Sequence, residues 1–223
     1  GIGATSTIFT ALNTIVLRPL PYPGASRLVH IYAVNAGFKG MHINMALGDV
    51  PDVRARTHSF EALTVYHGWM VNLTGEGDPE QLSATQVSPE FFGLLGQHPQ
   101  RGRFFAEEES QPGHDDAAVL SDAPWRRRFG ADENVLGKKV LFDGRPYAVV
   151  GIAPPGFRFP ADTNDVWTPL APTPAEQTAR SHRMYSILAR MRPGVRLQKA
   201  SSDVAALSAG LAQEFPSTNK SWS

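Results

Sequence analysis

The chain has 223 residues, of which 42% are hydrophobic and 19% are charged, and it contains no cysteine. Lys and Arg together number 21, as do Asp and Glu, so the formal net charge is zero. This composition is typical of a folded chain with one large domain or two small ones, and it gives no electrostatic reason to expect nucleic acid as a partner. The lack of cysteine excludes disulfides, thiolate zinc sites and cysteine nucleophiles.

The first 18 residues, GIGATSTIFTALNTIVLR, carry no charge before Arg18, and a proline-rich segment, PLPYP, follows them. A helix of this length rises about 26 Å, slightly less than the hydrocarbon core of a bilayer. Two interpretations stay open from the residues alone: an amphipathic or buried helix, and the trailing part of a membrane helix. Gly1-x-Gly3 is not a dinucleotide-binding loop, because no strand precedes it and Ser6 stands in place of the third glycine.

The first half of the chain alternates strand and helix patterns. Its β-branched and aromatic runs and its Pro and Gly positions predict, in order, a strand over Arg27–Val34, a helix around Asp49–Arg56, a strand over Ala62–Val71, a partner strand over Gln81–Val87 and a short helix that opens at Ser88.

The central stretch contains the strongest local signal. Lys139–Phe142 and Pro146–Ile152 flank Asp143-Gly144, and this dipeptide predicts a type I′ hairpin turn. Before it, a strand over Ala117–Leu120 and a helix between Ser121 and Gly130 are predicted.

In the C-terminal part, Val166–Leu170 returns the chain and Met184–Met191 is predicted to be a strand. An amphipathic helix follows, with its apolar stripe at Leu197, Ala200, Val204, Leu207, Leu211 and Phe215. Because strand–helix pairs stand at both ends, we expect the two ends to share one sheet, with the central part as an insertion. The predicted fold class is α+β.

The polar residues form no recognisable active site. The seven histidines include no HExxH pair, and the sequence has neither a G-x-S-x-G elbow nor a G-x-x-x-x-G-K-[ST] phosphate loop. His114-Asp115-Asp116 lacks further clustered ligands, Glu107–Glu109 is predicted to be a solvated turn, and Arg126–Arg128 is predicted to be the solvent-facing side of a helix. We therefore predict no catalytic, cofactor-binding or metal-binding residue and no cofactor, while two glycosidase carboxylates are not excluded by sequence.

Several blocks resemble one family, the periplasmic core domains of MacB-like ABC transporter permeases, and most closely the acidobacterial type that stands apart from its ATPase. They are GIGATSTIFTALNTIVLRPLPYPG, VSPEFFGLLGQHPQRGRFF, WRRRFG with NVLGKKV and FDGRPYAVVGIAPPGF, VWTPL, and the tail MRPGV with LAQEFP and NKSW. One departure is LGDVPD at Leu47–Asp52, where members more often have an aromatic-rich start.

The resemblance implies an organisation in four parts. Residues 1–23 would be the end of the first transmembrane helix and its proline-rich exit. Residues 24–95 and 163–223 would form a porter-like sheet-and-helix subdomain from both chain ends, and residues 96–162 a smaller inserted α/β lobe.

It also implies a role. The segment would lie on the outer side of a bacterial cytoplasmic membrane and, without being an enzyme, pass ATP-driven conformational change to substrate export or to a partner protein. Its partners would be an ABC ATPase on a separate chain, a second permease copy and a periplasmic adaptor. The alternative is a free-standing soluble extracytoplasmic enzyme or ligand-binding module.

Overall fold

A computed structural model describes residues 22–35, 37, 41–75 and 77–222, together with the backbone of 15–17. The chain divides into two compact units. The first unit comprises Gly1–Val65 and Pro174–Ser223, and the second comprises Tyr66–Thr173. The first unit is thus made from both ends of the chain.

Thirteen strands lie in the described residues. They are β1 Ile15–Leu17, β2 Leu28–Ile31, β3 Ala33–Val34, β4 His42–Ile43, β5 Met45–Ala46, β6 Phe60–Thr74, β7 Glu80–Val87, β8 Arg101–Gly102, β9 Ala117–Leu120, β10 Lys139–Phe142, β11 Arg145–Ile152, β12 Val166–Pro169 and β13 Arg183–Met191.

Six α-helices lie in the same residues. They are α1 Val50–Arg56, α2 Phe91–Leu94, α3 Asp122–Phe129, α4 Pro174–Thr178, α5 Leu197–Glu214 and α6 Pro216–Asn219. Among the residues that the structure describes, no helix combines the length and the apolar character needed to cross a bilayer.

The first unit is built on antiparallel pairs. β2 pairs with β1 on one side and with β13 on the other, and β13 also pairs with β5. All four residues of β2 are buried, which is typical of a strand covered on both faces. The long helix α5 buries a stripe of Ala200, Val204, Leu207 and Leu211, as its three- and four-residue spacing predicts.

Six strands pair in a closed ring in the second unit, to which β6 contributes its residues from Tyr66 onward. Around the ring, β6 pairs with β7, β7 with β12, β12 with β9, β9 with β11, β11 with β10, and β10 again with β6. A closed ring leaves none of its strands as an open edge, which removes the hydrogen-bonding template for unwanted association.

The two faces of this ring are both apolar. One face and the elements packed on it form a core with large members at Leu82, Leu120, Phe142, Tyr147 and Ile152, into which α3 contributes the buried Trp125. An aromatic layer also packs in this unit, and its ring contacts join Tyr66, Phe91, Phe92, Phe104, Phe105, Phe157, Phe159 and Trp167. On β12, neighbouring residues therefore serve both layers, because Val166 belongs to the first core and Trp167 to the aromatic layer.

The bounds of the predicted subdomains differ from the observed units. The prediction assigned residues 66–95 and 163–173 to the subdomain of the chain ends, whereas the structure groups them with the middle of the chain. The reason is long-range pairing: β7 is held by eight residue pairs to β6 and by four to β12, and β12 is held in turn to β9.

The N-terminal helix prediction falls largely on residues 1–14 and 18–21, which lie outside the described residues. In its described part the prediction is wrong, because Ile15–Leu17 is a strand that pairs antiparallel with Val29–Ile31. The β-branched Ile15 and Val16 favour that conformation. The helix predicted to open at Ser88 begins later, at Phe91, after a turn closed by a hydrogen bond from the Phe91 N–H to the Ser88 carbonyl.

The predicted hairpin is confirmed. Asp143 and Gly144 have φ values of 49° and 81°, the left-handed values that a type I′ turn requires. The Asp143 carboxylate also accepts hydrogen bonds from the backbone N–H (3.1 Å) and the side-chain amide (2.7 Å) of Asn72. The turn is therefore fixed both by its own conformation and by β6.

We expect Gly144→Val to lower the free energy of unfolding by about 1–2 kcal/mol, because a Cβ disfavours left-handed backbone. No heavy atom lies within 4 Å of the Cβ position, so the cost is conformational and not steric. Chemical denaturation measures it, with Gly144→Asn as the control, since Asn tolerates this conformation better. Equal stability of the wild type and Gly144→Val would contradict the assignment.

Candidate functional site

A buried carboxylate, Asp49, is the centre of the polar contacts in the first unit. Its side chain is 1% exposed and accepts three hydrogen bonds. Arg180 Nη1 donates to Oδ1 at 2.6 Å, Arg183 Nη1 donates to Oδ2 at 3.1 Å, and Asn219 Nδ2 donates to Oδ1 at 3.1 Å. Both oxygens of the carboxylate are therefore occupied by protein donors.

The local backbone explains how Asp49 reaches this position. A turn of 3₁₀ helix at Leu47–Asp49 leads into α1, with Pro51 in the first turn of that helix. Gly48 donates its N–H to the Ala179 carbonyl at 2.9 Å, and a Cβ at Gly48 would come within 2.7 Å of the Thr178 carbonyl oxygen. Only glycine permits this approach, which brings the segment carrying Arg180 against Asp49.

Further contacts hold the two arginines beside the carboxylate. Arg180 Nη2 donates to Asp52 at 2.8 Å, and the Arg180 guanidinium lies over the Phe215 ring at 3.8 Å. The Arg183 guanidinium lies over the Trp222 ring at 4.3 Å. We call these residues the Asp49 cluster: Asp49, Asp52, Arg180, Arg183, Phe215, Asn219 and Trp222.

The electrostatics of the Asp49 cluster are those of a buried ion pair. The Arg183 side chain is 5% exposed. Burial lowers the pKa of its guanidinium below the ordinary value, in opposition to the neighbouring Asp49 charge. Breaking such a pair is costly because the remaining charge cannot be solvated.

The Asp49 cluster joins distant parts of the chain. It connects α1 to the start of β13 and to the segment after α5, and Trp222 additionally forms a β-bridge with Asn35. Because the Asp49 side chain is 1% exposed and both of its oxygens accept from distant segments of the chain, the arrangement fits a structural clamp. It holds together the unit to which both chain ends belong.

A second polar group lies beside a groove of about 370 Å³ in the same unit, next to Arg56 and His58. Ser59 donates its hydroxyl to Asp203 Oδ2 at 2.5 Å, and Lys199 Nζ lies 2.5 Å from Oδ1. Burial would raise the pKa of Asp203, but hydrogen bonds from Lys199 and Ser59 hold it below the ordinary value. Since the serine donates directly to a carboxylate, no histidine relays its proton as in a hydrolytic triad.

The arginine run predicted to face solvent is engaged in ion pairs. Arg126 Nε contacts Asp122 at 2.8 Å, Arg127 contacts Glu80, and Arg128 Nε lies 3.5 Å from Glu80. These contacts attach α3 to the start of β7.

The acidic run divides into different roles. Glu107 and Glu108 are exposed, as a solvated turn predicts, but Glu109 pairs with both terminal nitrogens of Arg103 at 2.8 Å and accepts the Ala106 N–H. Burial would raise the pKa of Glu109, but the Arg103 hydrogen bond lowers it below the ordinary value. Glu109 therefore stabilises its loop.

The His114-Asp115-Asp116 segment has no assembled ligand set around it. His114 is exposed, and Asp115 forms an ion pair with Arg145 at 2.9 Å. In the part of the chain that the structure describes, no three His, Cys, Asp or Glu side chains are grouped so as to hold a metal ion.

Sequence reasoning missed the Asp49 cluster. The partners of Asp49 stand 131, 134 and 170 positions further along the chain. A single sequence carries no signal that joins charges at such separations. The segment LGDVPD supplies both carboxylates of the cluster.

The fold is similar to solved extracytoplasmic domains of transporters. It matches the periplasmic region of MacB from Actinobacillus actinomycetemcomitans with a TM-score of 0.62 and 17% identity, covering 87% of this chain and 86% of that one. It also matches the extracellular domain of the noncanonic ABC-type transporter YknZ from Gram-positive bacteria, with a TM-score of 0.59 and 13% identity over 85% of this chain and 88% of that one. At these identities the likeness shows a shared fold. No curated protein matches the chain.

The architecture is thus that of the extracytoplasmic domains of ABC-type permeases. A family model described as the MacB-like periplasmic core domain matches residues 1–207, which is most of the chain. The chain belongs to the MacB-like periplasmic core domain family.

We expect Asp49→Asn to lower the free energy of unfolding by about 3–5 kcal/mol, because it leaves the buried Arg183 without its counter-charge. The matched control is Asp52→Asn, whose side chain is 21% exposed and whose loss should cost about 1 kcal/mol or less. Urea unfolding of both variants measures the difference. Equal losses would show that the Asp49 cluster does not hold the unit together.

Proposed function

We propose that this chain is the non-catalytic extracytoplasmic domain of an ABC transporter permease. In this role it passes conformational change, driven by ATP hydrolysis on the other side of the membrane, to the export of a substrate or to a partner protein. The observation that carries the proposal is the family match over residues 1–207. The fold shared with the MacB and YknZ domains supports it.

The construction of the first unit suits mechanical transmission. Both chain ends belong to this one unit, and the Asp49 cluster fixes α1, β13 and the segment after α5 to one another through buried charges. A displacement applied near either end is then carried by the unit as a whole, because packed cores do not deform continuously.

The proposed partners follow from the family. They are an ABC ATPase on a separate chain that acts through the membrane part of the permease, a second permease copy, and a periplasmic adaptor. The formal net charge of zero gives no support to nucleic acid. The proposed location is the outer side of the bacterial cytoplasmic membrane.

The location is tested by labelling one introduced cysteine in the full-length permease, with any other cysteine removed. Glu108 is a suitable position because its side chain is exposed, whereas Asp143 on the hairpin tip is bound to Asn72. We expect a membrane-impermeant maleimide to label Glu108→Cys in intact spheroplasts as strongly as after lysis. Labelling only after lysis would place the domain in the cytoplasm and remove the transport proposal.

The control for folding is Ala189→Cys, at a position that is 0% exposed on β13. A folded domain leaves this cysteine unlabelled in both preparations and labels it only in denaturant. Rapid labelling of Ala189→Cys without denaturant would mean that the Glu108→Cys result reports an unfolded chain.

A free-standing soluble enzyme or ligand-binding module is the alternative, and Ser59 beside Asp203 is the arrangement that gives it most support. We expect the purified chain to hydrolyse a chromogenic acyl ester no faster than the buffer does, because no histidine lies between Ser59 and the carboxylate. Turnover that Ser59→Ala abolishes, while the melting temperature stays the same, would favour the enzyme.

A further inference from the structure

One groove of the second unit combines an apolar floor with a cationic rim. It has a volume of about 370 Å³, within the range of small-molecule sites. The floor is formed by Leu73, Phe129 and Leu141, and the rim is formed by Arg128, Lys138 and Lys139. All six residues belong to the same compact unit.

The floor is continuous with the apolar core on one face of the strand ring. Leu73 is 5% exposed and belongs to the ring core, and Phe129 at the end of α3 packs partly buried against it. At the mouth, the antiparallel pairs Leu141–Thr74 and Phe142–Leu73 close the ring between β10 and β6. Gly75 follows with a φ of 104°, and a Cβ there would lie 3.4 Å from Leu141 Cδ1. The Leu141 side chain thus lies beside the turn after β6 and lines the groove.

The rim carries one sign of charge. Three of the lining residues are cations, and none of them is a carboxylate. Lys138 contacts Asp132 at 2.9 Å and Arg128 lies 3.5 Å from Glu80, and these contacts fix where the two cations stand. Lys139 is exposed at the start of β10. An anionic group at the rim would gain attraction chiefly from Lys139, because Arg128 and Lys138 already face carboxylates, and opposite charges in a concave site interact more strongly than on a flat surface.

We propose that this groove binds a single-chain amphiphile with an anionic head group, such as a medium-chain fatty acid. The acyl tail would lie against Leu73, Phe129 and Leu141, and the carboxylate would meet Lys139 and its two neighbours. A neutral chain with a concave groove fits one free amphiphile better than the flat surface of an anionic bilayer. The proposal depends on the second unit alone and stands whether or not the transport role is correct.

The test uses the 223-residue chain and two probes with the same tail and opposite heads, decanoate and decyltrimethylammonium, each below its micelle concentration. We expect calorimetric titration to give saturable, one-to-one binding of decanoate and at least tenfold weaker binding of the cation. Lys139→Glu should weaken decanoate by about tenfold, and Leu141→Asp should abolish its binding. Equal affinity for both heads, or no saturation by decanoate, would overturn the proposal.

The matched control is Lys220→Glu, which makes the same charge change at an exposed residue of the other unit. It should leave decanoate affinity within twofold of the wild type, and a tenfold loss would show that overall charge governs binding and not the groove. Melting curves of all variants identify any that are unfolded, and a folded Lys139→Glu with unchanged affinity would refute the site. Sedimentation with phosphatidylglycerol vesicles completes the test, because binding to vesicles without binding to decanoate would assign the groove to a membrane surface instead.

Discussion

The first unit depends on the solvation of one buried charge. Asp49 is removed from water, and its charge is stable there only because Arg180, Arg183 and Asn219 all donate to it. Those donors come from segments far along the chain, so the carboxylate can be satisfied only when the unit is fully assembled. Because Asp49 needs all three donors in place, its burial favours one packing of α1, β13 and the segment after α5.

The second unit reaches order by different means. Its ring of strands satisfies backbone hydrogen bonds around the full circuit, and it buries apolar residues on both faces of its sheet. Close backbone contact adds to this where β8 meets β11: a Cβ on Gly151 would lie 2.1 Å from the Arg103 carbonyl oxygen, and one on Gly102 would lie 2.2 Å from that of Val150. Two glycines are therefore required at that crossing, since any side chain would separate the strands.

The sequence predicts the elements whose conformation depends on residues close together in the chain. The Asp143-Gly144 turn and the stripe from Leu197 to Leu211 depend on residues that are neighbours in the chain, and both were predicted correctly. Closure of the ring by the pairing of Leu73 with Phe142 was not predicted. These strands are far apart in the chain, and a single sequence does not show which distant strands pair or in what register. The same limit applies to the Asp49 cluster, where a charged residue at a helix start looks like any solvated one.

The Asp49 cluster of the first unit and the groove of the second unit differ in character. Both oxygens of Asp49 accept hydrogen bonds from protein donors and the side chain is 1% exposed, so its charge serves the packing of the first unit. The groove of the second unit has the opposite character: its lining combines apolar side chains with Lys139, which is exposed. The proposed mechanical role rests on the buried ion pairs of the first unit, whereas the proposed ligand site lies in the second unit. Because the two sites share no residue, we expect substitutions in the groove to alter ligand affinity without cost to the buried ion pairs.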